Sequence, residues 1–395
     1  MIKIRRLITI YLKRLSADKN SLLLANAQPH KIHRPTITAA RRMVRYALNI
    51  MEVKIEMKFD VASFFSGAGG LDTGFHDAGF KIVWANEFDK KIIPTLKKNF
   101  PSTIVDGRSL FDVPSSDIPK AIGIIGGPPC QSWSIAGAGK GLGDKRGQVF
   151  LDYIRVIRDK KPLFFLAENV AGMLDSRHRE SLKLIIKEFD KLGYHFTYKL
   201  MNVKDYGVPE DRKRVIFIGY DKKIGKAFEF PEPVSDKARM FLKNAIWDLR
   251  ETAQPALDKN KTNGSNLKVL NHEYMVGGFS PMYMSRNRVR GWDEPSFTIQ
   301  AGGRHAPIHP DAPKMAKVDK DMHIFAKGKE KLYRRLSVRE AARIQTFPDN
   351  FEFVYTDVAD GYKMIGNAVP VKFAYEIAKK IKEDLVEYYA NGKKK

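Results

Sequence analysis

A single cysteine, Cys130, stands among the 395 residues of the chain, within the segment 126–134, GGPPCQSWS. The segment follows an apolar run at 121–125, AIGII, that reads as a strand. A free cysteine is ordinarily a small buried hydrophobe. Here its position argues otherwise, because Pro128 and Pro129 lack amide protons and cannot continue a sheet ladder, so the chain leaves the strand just ahead of the sulfur. Open α/β sheets bind ligands in the crevice at the carboxyl ends of their strands. The Cys130 thiol is therefore read as a nucleophile displayed at such a crevice.

Two further strand ends would bring charge to the same place. The run 162–167, PLFFLA, has the continuous apolar character of a strand covered on both faces, and it ends at Glu168 and Asn169. The run 215–219, VIFIG, is preceded by EDRKR at 210–214, and on an extended chain Arg212 and Arg214 project to one face. A helix cap at Glu168 and a solvated charge run at 210–214 are the plainer readings of these residues.

The elements that must position these groups begin at Phe59. Residues 60–65, DVASFF, read as a strand, 66–70, SGAGG, as a tight turn, and 71–78 as a helix ending at Gly79; a second strand, 81–85, ends in Asn86 and Glu87. Glycines let the backbone approach a ligand at a helix N-terminus. An acidic residue about 20 positions on, at the tip of the second strand, can accept hydrogen bonds from ribose hydroxyls. Gly67 and Glu87 have that spacing, which indicates an adenosine-containing cofactor. A third apolar run ends at Asp106, where a carboxylate could meet the adenine amino group.

Composition indicates a polyanionic partner. The chain carries 69 Lys and Arg against 45 Asp and Glu, a net charge of +24, and nucleic acid is the simplest counterpart of that excess. No uninterrupted apolar stretch is long enough for a membrane span. One cysteine excludes an intrachain disulfide and any multi-cysteine zinc site, so no metal is expected and the expected location is cytoplasmic. Residues 1–57 hold 12 Lys or Arg and 3 Asp or Glu without a signal-peptide core. They are expected to lie outside the fold, either as a basic arm or through a misassigned start with Met51 or Met57 as the first residue.

The blocks DVASFFSGAGGLDTGF at 60–75, ANE at 85–87, GGPPCQSWS at 126–134, AENV at 167–170, EDRKR at 210–214 and GYKMIGNAVP at 361–370 occur in the order and spacing of the DNA cytosine-C5 methyltransferases, which the chain resembles from about Phe59 to Lys382. The segment 271–313, with MSRNRVR at 284–290 and PSFTIQAGGR at 295–304, resembles the HaeIII-like, GGCC-modifying type II branch. The resemblance implies an α/β, Rossmann-like S-adenosylmethionine-dependent domain at 58–223 and a smaller, irregular target-recognition domain at 224–332. A linking helix and return to the first domain follow at 333–390, then a basic tail at 391–395. It implies methyl transfer to carbon 5 of a cytosine flipped out of duplex DNA. Cys130 would add to carbon 6, Glu168 would hold ring N3 and the exocyclic amine, Arg214 would bind O2, and Arg212 would support the site. Phe65, Gly67, Gly69 and Gly70 would surround the cofactor, Glu87 would bind its ribose, Asp106 would meet adenine, and Asn367 would close the pocket. One departure is visible, since the family commonly has Gln where Glu210 stands.

Within the same frame the glycine-rich stretch 135–148, carrying Lys140, Lys145 and Arg146, reads as a lid that closes over DNA. Arg286, Arg288 and Arg290 alternate, so an extended segment would aim all three guanidinium groups one way, toward guanine edges or phosphates; Arg304 and His305 are further candidates. Residues 334–343 have helical apolar spacing, and a final helix is expected at about 371–389. The implied partner is double-stranded DNA, with a cognate restriction endonuclease acting on the same site without a stable complex, and the chain is expected to be a monomer. A tRNA cytosine-C5 methyltransferase, a nicotinamide-dependent oxidoreductase and a noncatalytic DNA-binding protein remain open at this point.

Overall fold

A computed structural model describes residues 58–129 and 145–392. The chain divides into two units, Met1–Glu52 and Val53–Lys395, and the described residues belong to the second. The basic extension at 1–57, Cys130, Lys140, the rest of the 130–144 stretch and the last three residues lie outside what is described.

Strand β1, Asp60–Phe64, is an interior strand of a seven-stranded sheet, and its Val61, Ala62, Ser63 and Phe64 are all buried. Such near-continuous burial is what a parallel strand covered on both faces requires. β1 pairs in parallel with β2, Lys81–Asn86, on one side and with β4, Gly123–Gly126, on the other; β3, Ile104–Asp106, extends the sheet beyond β2. β5, Phe164–Val170, is parallel to β4. β7, Lys213–Asp221, runs antiparallel between β5 and β6, Tyr194–Asn202, giving the order β3-β2-β1-β4-β5-β7-β6. This is the expected α/β, Rossmann-like sheet.

Two sequence expectations are corrected by the sheet. Hydrophobicity ends the fifth strand at Ala167, but β5 continues to Val170 because β7 pairs along its whole length, Glu168 opposite Ile216 and Val170 opposite Arg214. Glu168 is thus a ladder residue on a rigid strand, and the helix-cap reading fails. The stretch 135–148 is not a loop throughout, since an α-helix starts at Lys145 and runs to Lys160.

The helices cover both faces. α1, Gly70–Asp77, and α2, Ile93–Asn99, follow β1 and β2; α3, Lys145–Lys160, and α4, Arg179–Lys191, flank β5. On one face Phe165, Phe189, Phe196 and Phe217 form a ladder, with centroids 4.7 Å apart for Phe165 and Phe189 and 4.9 Å for Phe189 and Phe196. Tyr153 of α3 closes that core and donates its hydroxyl to the Leu166 carbonyl at 2.6 Å.

The C-terminal third forms a second core from α5, Leu242–Ile246, α6, Val338–Ile344, α7, Val358–Asn367, and α8, Val371–Gly392. The helix expected at 334–343 begins only at Val338. Ser337 Oγ accepts from the Glu340 amide and Glu340 Oε2 accepts from the Ser337 amide, a capping box that starts the helix there. α8 returns to α1 at Gly74, where a Cβ would stand 2.5 Å from Ala374 Cβ and 2.6 Å from the Val371 carbonyl oxygen, so only glycine permits the approach.

Residues 224–332 lack a regular alternation of strands and helices. Apart from the five-residue α5, they consist of single 3-10 turns and strands of two to four residues, among them the hairpin of Ala316–Asp319 with Met322–Ile324. Tyr283, Val289, Ile308, Ala312, Met315 and Tyr333 make a small core of their own. Leu242, Ile246, Ile299 and Ala306 instead join the core of α6 and α7, so the segment is rooted in its neighbours.

Candidate active site

A cleft of about 270 Å³ opens at the carboxyl ends of β1, β2, β4 and β5. Its first wall is the turn after β1. Phe65, at φ 53°, and Gly67, at φ 56°, both take the left-handed conformation; for Phe65 that costs about 1–3 kcal/mol. The turn aims the Gly67 amide at Glu87, whose Oε2 accepts it at 3.0 Å, while Oε1 accepts from the Asp89 amide at 2.8 Å. The expected spacing from glycine turn to acidic strand tip is therefore a direct contact. Burial pushes the Glu87 carboxyl above its ordinary range, and the two amides hold it back.

Beside Glu87 the Phe88 ring is 65% exposed and lines the cleft. No residue in this wall was missed more plainly, although an aromatic directly after an acidic strand tip is a readable signal. A cleft with a flat aromatic face, a carboxylate for a diol and free space at Gly67, where a Cβ would meet nothing within 4 Å, fits an adenosine-bearing cofactor. Asp106 does not share this wall. Arg108 clamps its carboxylate with bonds from Nε and Nη2, which holds it below the usual carboxylate range, and the pair turns toward Asp117. Its carbonyl, not its side chain, meets the second strand tip, by accepting the Glu87 amide at 3.1 Å.

The opposite wall carries Pro128, Pro129, Glu168 and Arg214. Arg214 Nε donates to Glu168 Oε1 at 2.8 Å, and both side chains are nearly buried. Asn169 Nδ2 donates to the Pro128 carbonyl at 3.3 Å and so ties the proline turn to β5. A Cβ on Gly127 would lie 3.4 Å from Glu168 Oε2, so the chain passes the carboxylate at van der Waals distance three residues before Cys130. Asn367, at the end of α7, is exposed on the far rim. Lys363 of the same helix donates to Asp89 at 2.6 Å and closes that end of the cleft.

Arg212 and Arg214 both reach this cleft, yet they do different work. The Arg212 side chain is 1% exposed. Its Nη1 donates to the Ile299 carbonyl at 3.1 Å, and Nη2 donates to the carbonyls of Gly366 and Ala368 at 2.9 and 2.8 Å. Arg214 is thus the one of the pair whose guanidinium faces the carboxylate across the cleft wall.

A second cleft, of about 250 Å³, is lined by Arg286, Arg288, Phe297, Thr298, Gln300 and His305 with their neighbours. Alternation does not aim all three arginines here. Arg288 folds back, donating to the Tyr283 and Met282 carbonyls and lying 4.6 Å over the Tyr283 ring. Arg290 is drawn to Glu294 at 3.0 Å and stacks over Phe297 at 4.2 Å, outside the cleft lining. Among the described residues Arg286 makes no hydrogen bond or ion pair, and Arg304 is exposed on the neighbouring 3-10 turn.

Residues 59–383 match the family described as C-5 cytosine-specific DNA methylase. The chain is 55% identical over 326 residues to the type II methyltransferase M.FnuDI of Fusobacterium nucleatum, covering 82% of this chain and 94% of that protein. It is 56% identical over 329 residues to the type II methyltransferase M.MthTI of Methanothermobacter thermautotrophicus, covering 83% and 98%. Among solved structures, the Entamoeba histolytica methyltransferase EhMeth superposes with a TM-score of 0.61 at 18% identity, covering 84% of this chain and 99% of that one. A Spodoptera frugiperda DNMT2 mutant superposes with a TM-score of 0.58 at 18% identity, covering 82% and 99%, and both show the shared fold. The chain belongs to the C-5 cytosine-specific DNA methylases, and it is an enzyme that uses S-adenosylmethionine to methylate carbon 5 of cytosine in DNA.

Proposed function

We propose that this methyltransferase acts on a GC-rich, palindromic, GGCC-like duplex site as the modification enzyme of a restriction-modification system. The target cytosine is flipped out, and Cys130 forms a covalent bond to its carbon 6. The observation that carries this reading is the Glu168–Arg214 pair standing in one wall with the Pro128–Pro129 turn that leads into Cys130. The naming of the relatives as type II methyltransferases supports it.

Carbon 5 of cytosine is a poor nucleophile until the ring is activated. The Cys130 thiolate gives an electron pair to carbon 6, and the ring electrons shift toward carbon 5 and N3. Glu168 holds N3 and the exocyclic amine, which favours that shift, while Arg214 meets O2 and neutralises charge developing there. Bound S-adenosylmethionine supplies the electrophilic methyl group. Loss of the carbon 5 proton and departure of the Cys130 sulfur then restore the aromatic ring.

Phe65 and Phe88 would flank the adenine, and Glu87, already oriented by the Gly67 and Asp89 amides, would take the ribose hydroxyls. The Gly69 amide is spent within the turn on the Ser66 carbonyl at 2.9 Å, so Gly69 and Gly70 would support the cofactor wall from behind rather than line it, and Asn367 would close the rim. Arg286, without an internal partner among the described residues, is the guanine reader in the second cleft, worth about 1–3 kcal/mol of discrimination. Arg288 and Arg290 shape that cleft, and Arg304 takes backbone phosphate. Lys140 and the Arg146 side chain would hold phosphate from the glycine-rich stretch. The enzyme would work as a cytoplasmic monomer, its cognate nuclease sharing the site without a stable complex.

The test is a duplex carrying 5-fluorocytosine in GGCC, where the fluorine blocks the final elimination. Wild-type protein with S-adenosylmethionine should form an adduct that survives denaturing electrophoresis, and Cys130→Ser should form none. Bisulfite sequencing of DNA from an expressing strain then reads the site. An adduct with the serine variant, or methylation concentrated outside GC-rich palindromes, overturns the proposal.

A further inference from the structure

The Glu210 carboxyl has no place in the chemistry above, yet it is fully buried at the junction of the two clefts. The two-residue strand Glu210–Asp211 pairs in parallel with Ser296 and Phe297. Glu210 Oε1 accepts from the Ile299 amide at 2.7 Å, and Arg212 Nη1 lies 3.8 Å from the same oxygen. Both backbone groups of Ile299 are therefore held by one buried acid–base pair, the amide by Glu210 and the carbonyl by Arg212.

The two ends of this pair reach different clefts. Phe297, Thr298 and Gln300, around Ile299, line the second cleft. The Arg212 guanidinium also holds the carbonyls of Gly366 and Ala368, on either side of Asn367 in the first cleft. Gly366 is pressed so closely on the same segment that a Cβ there would lie 2.2 Å from the Gln300 carbonyl carbon. Two residues along the chain, Arg214 meets Glu168.

We propose that Glu210 is a positioning residue, which with Arg212 transmits occupancy of the second cleft by duplex DNA to the placement of Asn367 and Arg214 in the catalytic cleft. A lone buried carboxylate would be costly, and burial does push this carboxyl upward against the pull of Arg212. The contact to Ile299 needs only an acceptor oxygen, which a carboxamide also provides. This inference rests on the DNA-facing reading of the second cleft.

Two variants separate the possibilities. Glu210→Gln keeps the acceptor, and Glu210→Met fills similar volume without one. With steady-state kinetics on the preferred duplex and on a duplex altered at one base, E210M should lose at least tenfold in kcat and most of its preference, with cofactor affinity changed less than twofold, while E210Q recovers both. Equal behaviour of the two variants, or an E210M that loses only thermal stability, overturns the inference. Hydrogen exchange on the wild-type enzyme gives a reading that no misfolded variant can obscure. Peptides covering 296–301 and 364–369 should both gain protection when duplex DNA binds, and a response confined to the first overturns the coupling. Arg286→Ala serves as the control for the underlying reading: unchanged duplex binding and preference in R286A would remove DNA from the second cleft, whatever E210M does.

Discussion

Asp72 should make the stability of this enzyme fall as pH rises from about 4 to about 7. It lies on the first turn of α1, 1% exposed, beneath the cofactor turn. Ser63 Oγ donates to its Oδ1, and Ser66 Oγ donates to Ser63, but Oδ2 has no hydrogen-bond partner among the described residues. Burial pushes this carboxyl from an ordinary 3.8 up to about 7, the serine bonds offsetting only part, and the nearby Glu87 charge adds to the rise. A folded-state value above the unfolded one means that the native state binds the proton more tightly. The associated stability is present in full below the unfolded value, falls between about pH 4 and pH 7, and is gone above that. At about 1.4 kcal/mol for each tenfold change in proton affinity, the total is about 4 kcal/mol. Asp72→Asn removes the titration, keeps an acceptor for Ser63 and buries an amide that lacks an acceptor, a constant penalty of about 1–3 kcal/mol. Urea unfolding at fixed ionic strength should therefore find D72N less stable than wild type near pH 5 and more stable near pH 8. A stability difference between the two proteins that stays flat across that range would refute the buried-carboxyl account.

Arg214→Ala should lower kcat by about a hundredfold or more, the scale of losing a preorganised charge at a reacting centre. Labelled-methyl transfer with saturating cofactor measures it, and a loss under tenfold would remove Arg214 from the transition state. Phe88→Ala should weaken S-adenosylmethionine binding about two- to twelvefold by calorimetry, the range of an aromatic stacking contact of about 0.5–1.5 kcal/mol. Because the ring is 65% exposed, the melting temperature should not move, and unchanged affinity would exclude the stacking role.

The sheet and the cofactor wall were legible in the sequence because both are local. Parallel strands announce themselves as apolar runs, and the Gly67–Glu87 contact spans a single strand-turn-helix-strand unit. Glu168 was legible as a strand-end acid but not as a ladder residue, since that depends on pairing with β7, which follows much later in the chain. The different fates of Arg212 and Arg214 could not be read from alternation. Arg212 is committed to carbonyls 87 to 156 residues away, and nothing in its neighbours encodes them. Arg290 departs from the alternation for a nearer reason, a glutamate four positions on that draws it out of the second cleft's lining.

The same commitment changes what the net charge means. Residues 224–332 and the irregular segment at 348–351 have few ladders, and the end of α7 leaves its last carbonyls open, so these carbonyls take donors from elsewhere. Arginine, with five donors in a fixed fork, supplies them. Arg335 donates to the carbonyls of Met275, Gly277 and Gly278, and Arg339 to those of Leu270, Pro348 and Phe351. Arg212 does the same for Ile299, Gly366 and Ala368. All three side chains are buried, so part of the +24 is interior framework that holds an irregular segment in one conformation and never meets phosphate. Lysine could not replace them, because a single ammonium cannot span carbonyls on separate segments with fixed geometry. The basic composition thus serves two ends, and under the reading proposed for the second cleft the arginines that brace it are as necessary as Arg286, which lines it.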